Sequence, residues 1–168
     1  MGDYEIHLKM QGNQQGVFKG ESSSKAHSDE IEVAAFSWGM SRLQAGAQSS
    51  TKVGRPSIQA VTITKYVDSA SIQIMNALLT NETIKTAVIS WSKSSGANTT
   101  DDFFTVKLTN AAVVSVQVSA DSEHGGEGMG SEVVTLSFQR FDVDYKKQST
   151  MGLMQSAGQS GYDLASGS

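Results

Sequence analysis

Three histidines, His7, His27 and His124, are the side chains best suited to proton transfer or metal ligation in this chain, and each lies on a different segment. Metal-binding imidazoles are commonly spaced so that two project from one helix face, as in H-E-x-x-H, and no such pair occurs here. A metal site is therefore not expected. His7 stands between Glu5 and Lys9 in the polar phase of an alternating segment, which places it in solvent on a strand. His27, in Lys-Ala-His-Ser-Asp-Glu-Ile, precedes a strand and is expected to order a turn through imidazole hydrogen bonds. No nucleophile motif stands near it, so general-base work is not indicated.

Other chemistry is no better supported. Serines are abundant, yet Gly-x-Ser-x-Gly is absent, and Gly158-Gln-Ser-Gly lies in a loose tail without the strand and helix that a nucleophile elbow needs. Gly126-Glu-Gly-Met-Gly superficially looks like a phosphate loop, but a strand follows it, so the helix N-terminus that would hold phosphate is missing. Asp121, Glu123, Glu127 and Glu132 could gather calcium, though without ordered ligand spacing they read as a solvated acidic loop. Trp38, Trp91 and the phenylalanines, at strand spacing, read as core before they read as a sugar-stacking platform. Neither a catalytic residue nor a cofactor site is indicated, which argues against an enzyme.

Bulk composition narrows the classes further. Thirteen basic against seventeen acidic residues leave a net charge of -4, so no basic stripe exists to displace counterions from nucleic acid. Cys 0 removes disulfides, thiolate metal sites and cysteine nucleophiles together. Met1 to Met10 alternate polar and apolar instead of showing a basic stretch and then an apolar run. A secretory signal peptide is thus not expected, and synthesis in the cytosol is. No apolar run reaches the ~18 residues that cross a bilayer, so membrane insertion is not expected. The sequons Asn81-Glu-Thr and Asn98-Thr-Thr are irrelevant without a secretory route.

These side chains must be carried on strands. Tyr4, Ile6, Leu8 and Met10 alternate with Glu5, His7 and Lys9. Glu30 to Trp38 starts with Ile31, Val33 and Ala35 on one face and then places Phe36 and Trp38 on the other, which implies two covered faces or a bulge. Ile58 to Val67 and Ile84 to Lys93 are rich in β-branched residues and nearly two-faced in their apolarity. Phe103 to Leu108 and Ala112 to Val118, separated by Asn110, form a strand pair or one bent strand. Between Phe138 and Phe141 the apolar phase slips, which predicts a bulge at Gln139-Arg140. One short helix, about 69–80, is marked by Ile72, Met75, Leu78 and Leu79 behind the N-cap oxygens of Asp68-Ser-Ala-Ser. Consecutive strands with a single helix predict a mainly β fold, a barrel or sandwich of two antiparallel sheets with one short α-helix. The expected division is a barrel domain over 1–147 and a C-terminal tail over 148–168, flexible or ordered at an interface. The segment from Ser41 to Ser57, with the sole proline at Pro56, exceeds the ~12 to 15 residues usual for a structureless connection and is expected to be functional or disordered.

Four stretches resemble the hemolysin-coregulated protein (Hcp) family of type VI secretion. They are Phe18-Lys-Gly-Glu-Ser-Ser, then His27-Ser-Asp-Glu-Ile-Glu-Val-Ala-Ala-Phe-Ser-Trp-Gly-Met, then Thr64-Lys-Tyr-Val-Asp-Ser-Ala-Ser, and Val114-Ser-Val. Order and spacing agree from about Tyr4 to Lys147, and Gly161-Tyr-Asp-Leu is similar to the Gly-Trp-Asn/Asp ending of the family. Two departures are Gly-Gly-Glu-Gly-Met-Gly-Ser-Glu in place of an Asp-Arg-Pro run, and Tyr162 in place of tryptophan.

The resemblance implies a structural protein whose homohexameric rings stack into a hollow tube. It further implies a surrounding sheath, export with a VgrG-type spike, and small effector proteins in the lumen. On that reading Arg42, Leu43, Gln44, Gln48, Thr51, Lys52, Val53, Arg55 and Pro56 reach a neighbouring subunit or ring. Ser37, opposite in phase to Phe36 and Trp38, is the lumen-facing candidate. Apolar outer faces would be covered by further copies. A contractile phage tail tube protein shares this architecture and is separated by genomic neighbours. A secreted carbohydrate-binding β-sandwich predicts a monomer or dimer with glycan affinity instead.

Overall fold

The computed structural model describes residues 4–42, 54–95, 99–121, 130–148 and 154–168. Its elements in chain order are β1 (Tyr4–Gly12), β2 (Gly16–Val17), β3 (Ile31–Ser37), β4 (Met40–Ser41), β5 (Ser57–Ile58), β6 (Val61–Tyr66), α1 (Ala70–Leu79), β7 (Ile84–Ser95), β8 (Thr99–Ser119), β9 (Ser131–Ser137), β10 (Arg140–Gln148) and β11 (Met154–Asp163).

Six of these strands close on themselves. The antiparallel order β8-β7-β1-β3-β6-β9 returns to β8, so each strand of the ring has two partners and none is left as an edge. Residues two apart along each strand then face one interior, where Leu8, Met10, Ile31, Ile63, Ile89 and Leu136 are fully buried. The irregularity expected after Val33 is a register shift between Val33 and Ala35, which turns Phe36 to pair with Ile63.

A second sheet grows from the barrel through β8. Its first half pairs with β10, which pairs in turn with β11, while its second half pairs with β9. The bend falls at Asn110, whose φ of 50° is a left-handed conformation that asparagine tolerates better than most residues. Asn110 Nδ2 donates to Gln139 Oε1 at 3.2 Å, and the Gln139 N–H donates to the Thr109 carbonyl at 3.2 Å. The phase slip at Gln139-Arg140 is therefore the break between two strands and not a bulge within one. The chain steps across as its partner bends. Residues 154–163, rich in Ser, Gly and Gln, run as β11 along the far side of β10, mostly exposed.

The helix lies against β8. Asp68 Oδ1 accepts the Ala70 N–H at 3.0 Å, and Ala70, Ser71, Ile74 and Ala77 form the buried face. Ile72 and Leu79, expected on the core side, are instead 63% and 77% exposed. Ile74 and the small residues Ala70, Ser71 and Ala77 face the strands and Leu78 packs at the margin of the core, while Ile72 and Leu79 are rotated outward. Beneath its first turn Lys65 of β6 is wholly buried and meets Glu132 of β9, Asp68 Oδ1 at 2.8 Å, the Tyr66 carbonyl at 2.9 Å and Ser71 Oγ at 3.1 Å. Ser71 Oγ also donates to Glu132 Oε2 at 2.7 Å. Glu132 thus belongs to a buried ion pair and not to a solvated acidic loop; Glu123 and Glu127 lie outside the described residues.

Residues 18–30 form a strap that doubles back over β1. Phe18 enters the core, Gly20 N–H donates to the Asp29 carbonyl at 2.8 Å and Ser22 N–H to the Glu30 carbonyl at 3.1 Å. Only glycine fits this crossing, since a Cβ at Gly20 would fall 2.3 Å from the Glu30 carbonyl oxygen. The strap brings His27 onto His7, which is 2% exposed despite its place in the polar phase. Alternation along a strand assigns a face, but the solvent expected on that face has been displaced by chain from outside the strand.

Candidate assembly surface

Ser37 ends β3 with its side chain exposed. Across the barrel wall it heads a row of Cα partners, Ser37–Thr62–Thr135–Ser115, and beside it runs Ala35–Thr64–Val133–Gln117. Their inward-pointing neighbours on β6 and β9, Val61, Ile63, Val134 and Leu136, are buried. These two rows across four adjacent strands therefore present small hydroxyl, methyl and amide groups and no charge, while Glu32, farther along β3, is exposed beyond them. The two-faced apolarity expected of Ile58 to Val67 is in fact this alternation of β-branched aliphatics inward with threonines outward. β-Branching marks a strand, but it does not tell a valine face from a threonine face.

The ends of the 41–57 segment are rooted here as well. Met40 pairs with Ile58 and Ser41 with Ser57, so β4 and β5 form a two-stranded stem. The Trp38 Nε1–H donates to the Gln59 carbonyl at 2.8 Å, and the Gln59 N–H to the Gly39 carbonyl at 3.0 Å, which fixes the stem to the barrel. Arg42 and the Arg55–Pro56 pair flank the stem, with both arginines exposed. Leu43, Gln44, Gln48, Thr51, Lys52 and Val53 lie outside the described residues.

Arg55 also touches the C-terminal turn, where a Cβ at Gly167 would meet its Cζ at 3.2 Å. That turn is closed by Asp163 Oδ1, which accepts the Ala165 and Ser166 N–H groups at 2.9 and 3.0 Å. The Ser166 N–H, foremost among these, holds the Asp163 carboxyl below the usual carboxylate range. Leu164 N–H then donates to the Gln139 carbonyl at 2.8 Å, joining the turn to the β9–β10 step.

Aromatic packing binds these parts into one body. Phe36 meets Trp91 at 4.8 Å and Trp91 meets Phe104 at 5.0 Å, both edge to face. Trp38 meets Phe141 at 4.8 Å, and Phe141 stacks on Tyr162 of β11 at 6.3 Å. These rings are occupied by one another and do not form an open platform for a sugar.

Among the described residues, no group of three or more His, Asp or Glu side chains is placed to hold a metal ion. No helix among them is long and apolar enough to cross a membrane. His27 has both ring nitrogens engaged, Nδ1 with Glu30 at 2.7 Å and Nε2 with Asp102 at 2.8 Å, which leaves neither free to act as a base. Its expected role in ordering the preceding turn is met by the contact with Glu30, and Asp102 is a partner that no local motif announces. His124 lies outside the described residues.

Residues 7–145 match the family described as "Type VI secretion system effector, Hcp". The chain belongs to the Hcp family. Two proteins of Pseudomonas aeruginosa are similar to this Hcp chain. "Protein hcp1" is 34% identical over 138 residues, 82% of this chain and 83% of the relative. "Major exported protein" is 25% identical over 120 residues, 66% and 69% of the two. Among solved structures, Hcp1 from Salmonella typhimurium superposes with a TM-score of 0.70 at 25% identity, covering 99% of this chain and 97% of that one. A structure titled "Structure of a type six secretion system protein" gives 0.84 at 22% identity, with 99% of each chain covered, and bears on the fold alone.

Proposed function

We propose that this Hcp chain is the ring-forming subunit of the inner tube of a type VI secretion apparatus, with a structural and not an enzymatic role. Six copies close into a ring through one interface repeated head to tail, and rings stack into a hollow tube. The observation that carries this reading is the combination of a closed, edge-free barrel with two uncharged outward rows through Ser37 and Ala35 and a separate stem for a long loop. Such a barrel offers rigid surfaces to neighbours without exchanging strands.

In this assembly the face holding Ser37 lines the lumen and small effectors rest against it. Arg42, Arg55 and Pro56, with the loop between them, reach the adjacent subunit or ring. Residues 1–147 form the barrel unit, and 148–168 form a segment whose strand β11 a neighbour covers. The tube is made in the cytosol, is enclosed by sheath proteins and leaves with a VgrG-type spike.

Native mass spectrometry tests the ring directly. The expected species has six times the 17.8 kDa of the chain, and a stable monomer at high concentration would overturn the proposal. Deleting the middle of the 41–57 loop should leave folded rings but no tubes in electron micrographs, so undiminished tubes would remove the role given to that loop. Replacing Ser37 with tryptophan should reduce effector co-purification while rings persist in size-exclusion chromatography. Unchanged cargo would place Ser37 elsewhere.

A further inference from the structure

Among the described residues, a group of ionisable side chains gathers where the strap crosses β1. The His7 and His27 rings are stacked with centroids 4.6 Å apart and planes 10° from parallel. His7 Nδ1 is buried without a hydrogen-bond partner. His27 bridges its own strap, through Glu30 at 2.7 Å, to β8 of the barrel, through Asp102 at 2.8 Å. A doubly protonated imidazole donates to both carboxylates, whereas a neutral one has a single donor and must turn a lone pair toward the other carboxylate. A charge on His7 would lie face to face with the charge on His27.

We propose that the stacked His7–His27 pair is a proton-operated clasp on the 18–30 strap, closed only while His27 is charged and His7 is neutral. The surroundings favour this distribution. Burial lowers His7 from its ordinary 6.5 and the charge of His27 lowers it further, against Glu5, Glu30 and Glu32. Burial would lower His27 too, but the hydrogen bonds it donates to Asp102 and Glu30, with the charges on those carboxylates, outweigh it and hold the ring above 6.5. The other charged groups that line the hollows around the pair are Lys25 on the strap, Asp101 on β8 and Lys146 on β10; β7 contributes Ser90 and no charge beside His7.

Two limbs follow from these signs. Stability from His27 is fully present below 6.5 and is lost as pH rises through its raised folded value. Stability from neutral His7 is present above 6.5 and is lost as pH falls through its lowered folded value. The strap is therefore held most firmly in a window that spans 6.5 and is released on either side of it.

Hydrogen exchange of residues 18–30 in the full-length protein, corrected for intrinsic rates between pH of about 4.5 and 9, reads the clasp directly. The expected protection is bell-shaped, with its maximum around 6.5 and a loss toward each end. His7→Gln should move the acid limb to lower pH and leave the alkaline limb in place. His27→Gln should abolish the maximum and leave the strap weakly protected throughout. Flat protection in the unmodified chain, or both limbs surviving in both variants, would overturn the proposal. NMR titration of the two rings in the unmodified chain gives a readout that needs no variant. His27 should titrate above 6.5 and His7 below it, and titration of both on one side would sink the clasp.

Discussion

Replacing Lys65 by methionine keeps the length of the side chain and removes its charge from beneath α1. Lys65 is wholly buried and Glu132 is 1% exposed, so the carboxylates of Glu132 and Asp68 would be left facing one another without a cation. Breaking a buried pair by deleting one partner costs about 3–5 kcal/mol. For a chain of this size each kcal/mol moves the midpoint by about 2–4 °C, so a fall of about 6–20 °C is expected. Thermal unfolding followed by far-UV circular dichroism measures it, at one fixed protein concentration, since any self-association would itself add to the stability. Glu132 Oε1 already lacks a partner, so part of the penalty of a buried carboxylate is present in the native state. The double variant Lys65→Met with Glu132→Leu should accordingly recover most of the loss. A single variant that costs less than about 1 kcal/mol, or a double variant no better than the single, would refute this account of how the helix is fastened.

Three further outcomes follow from the packing. Gly161→Ala would place a Cβ 2.5 Å from Asp142 Oδ1 and should expose β11 amides to exchange while the barrel midpoint changes little. Phe141→Ala removes a buried ring that touches Trp38, Phe138 and Tyr162, and should cost about 3–5 kcal/mol in denaturant unfolding. Trp38→Phe leaves the Gln59 carbonyl without its donor and should loosen the β4–β5 stem at a global cost of about 1 kcal/mol, read by exchange at Gln59.

The strands and the single helix were legible because period-2 and period-3.6 patterns are consequences of backbone geometry alone. Even the break at Gln139-Arg140 registered, though as a bulge, since a phase slip looks the same whether a strand kinks or ends. His7 shows the limit of such patterns. Its phase placed it outward, correctly, yet nothing in the local pattern says that residues twenty positions later lie on top of it. The Lys65–Glu132 pair did leave a signal. Lys65 shares the phase of Val61 and Ile63, and Glu132 that of Val134 and Leu136, so two opposite charges occupied inward positions on strands that proved adjacent. Neither could have been paired without knowing that adjacency. The helix misled in part because its hydrophobic residues do not all share one face: Ala70, Ser71, Ile74 and Ala77 set the buried side, which takes in Leu78 at its margin and leaves Ile72 and Leu79 in solvent. The outward phase of Ser37 was legible from its alternation with Phe36 and Trp38, but its row through Thr62, Thr135 and Ser115 depends on register across four strands, which no single segment encodes.

Among the described residues the outer side of β11 has no partner strand, and its backbone groups are open to pairing. Bare edges of this kind ordinarily nucleate fibrils when their side chains are bulky and greasy. Here they are chiefly serine, glycine and glutamine, so a stray strand that docked would gain hydrogen bonds it already has with water and almost no dehydrated area. Only a companion whose whole surface fits would be retained, which lets a concentrated pool of free subunits stay dispersed until the right geometry is offered.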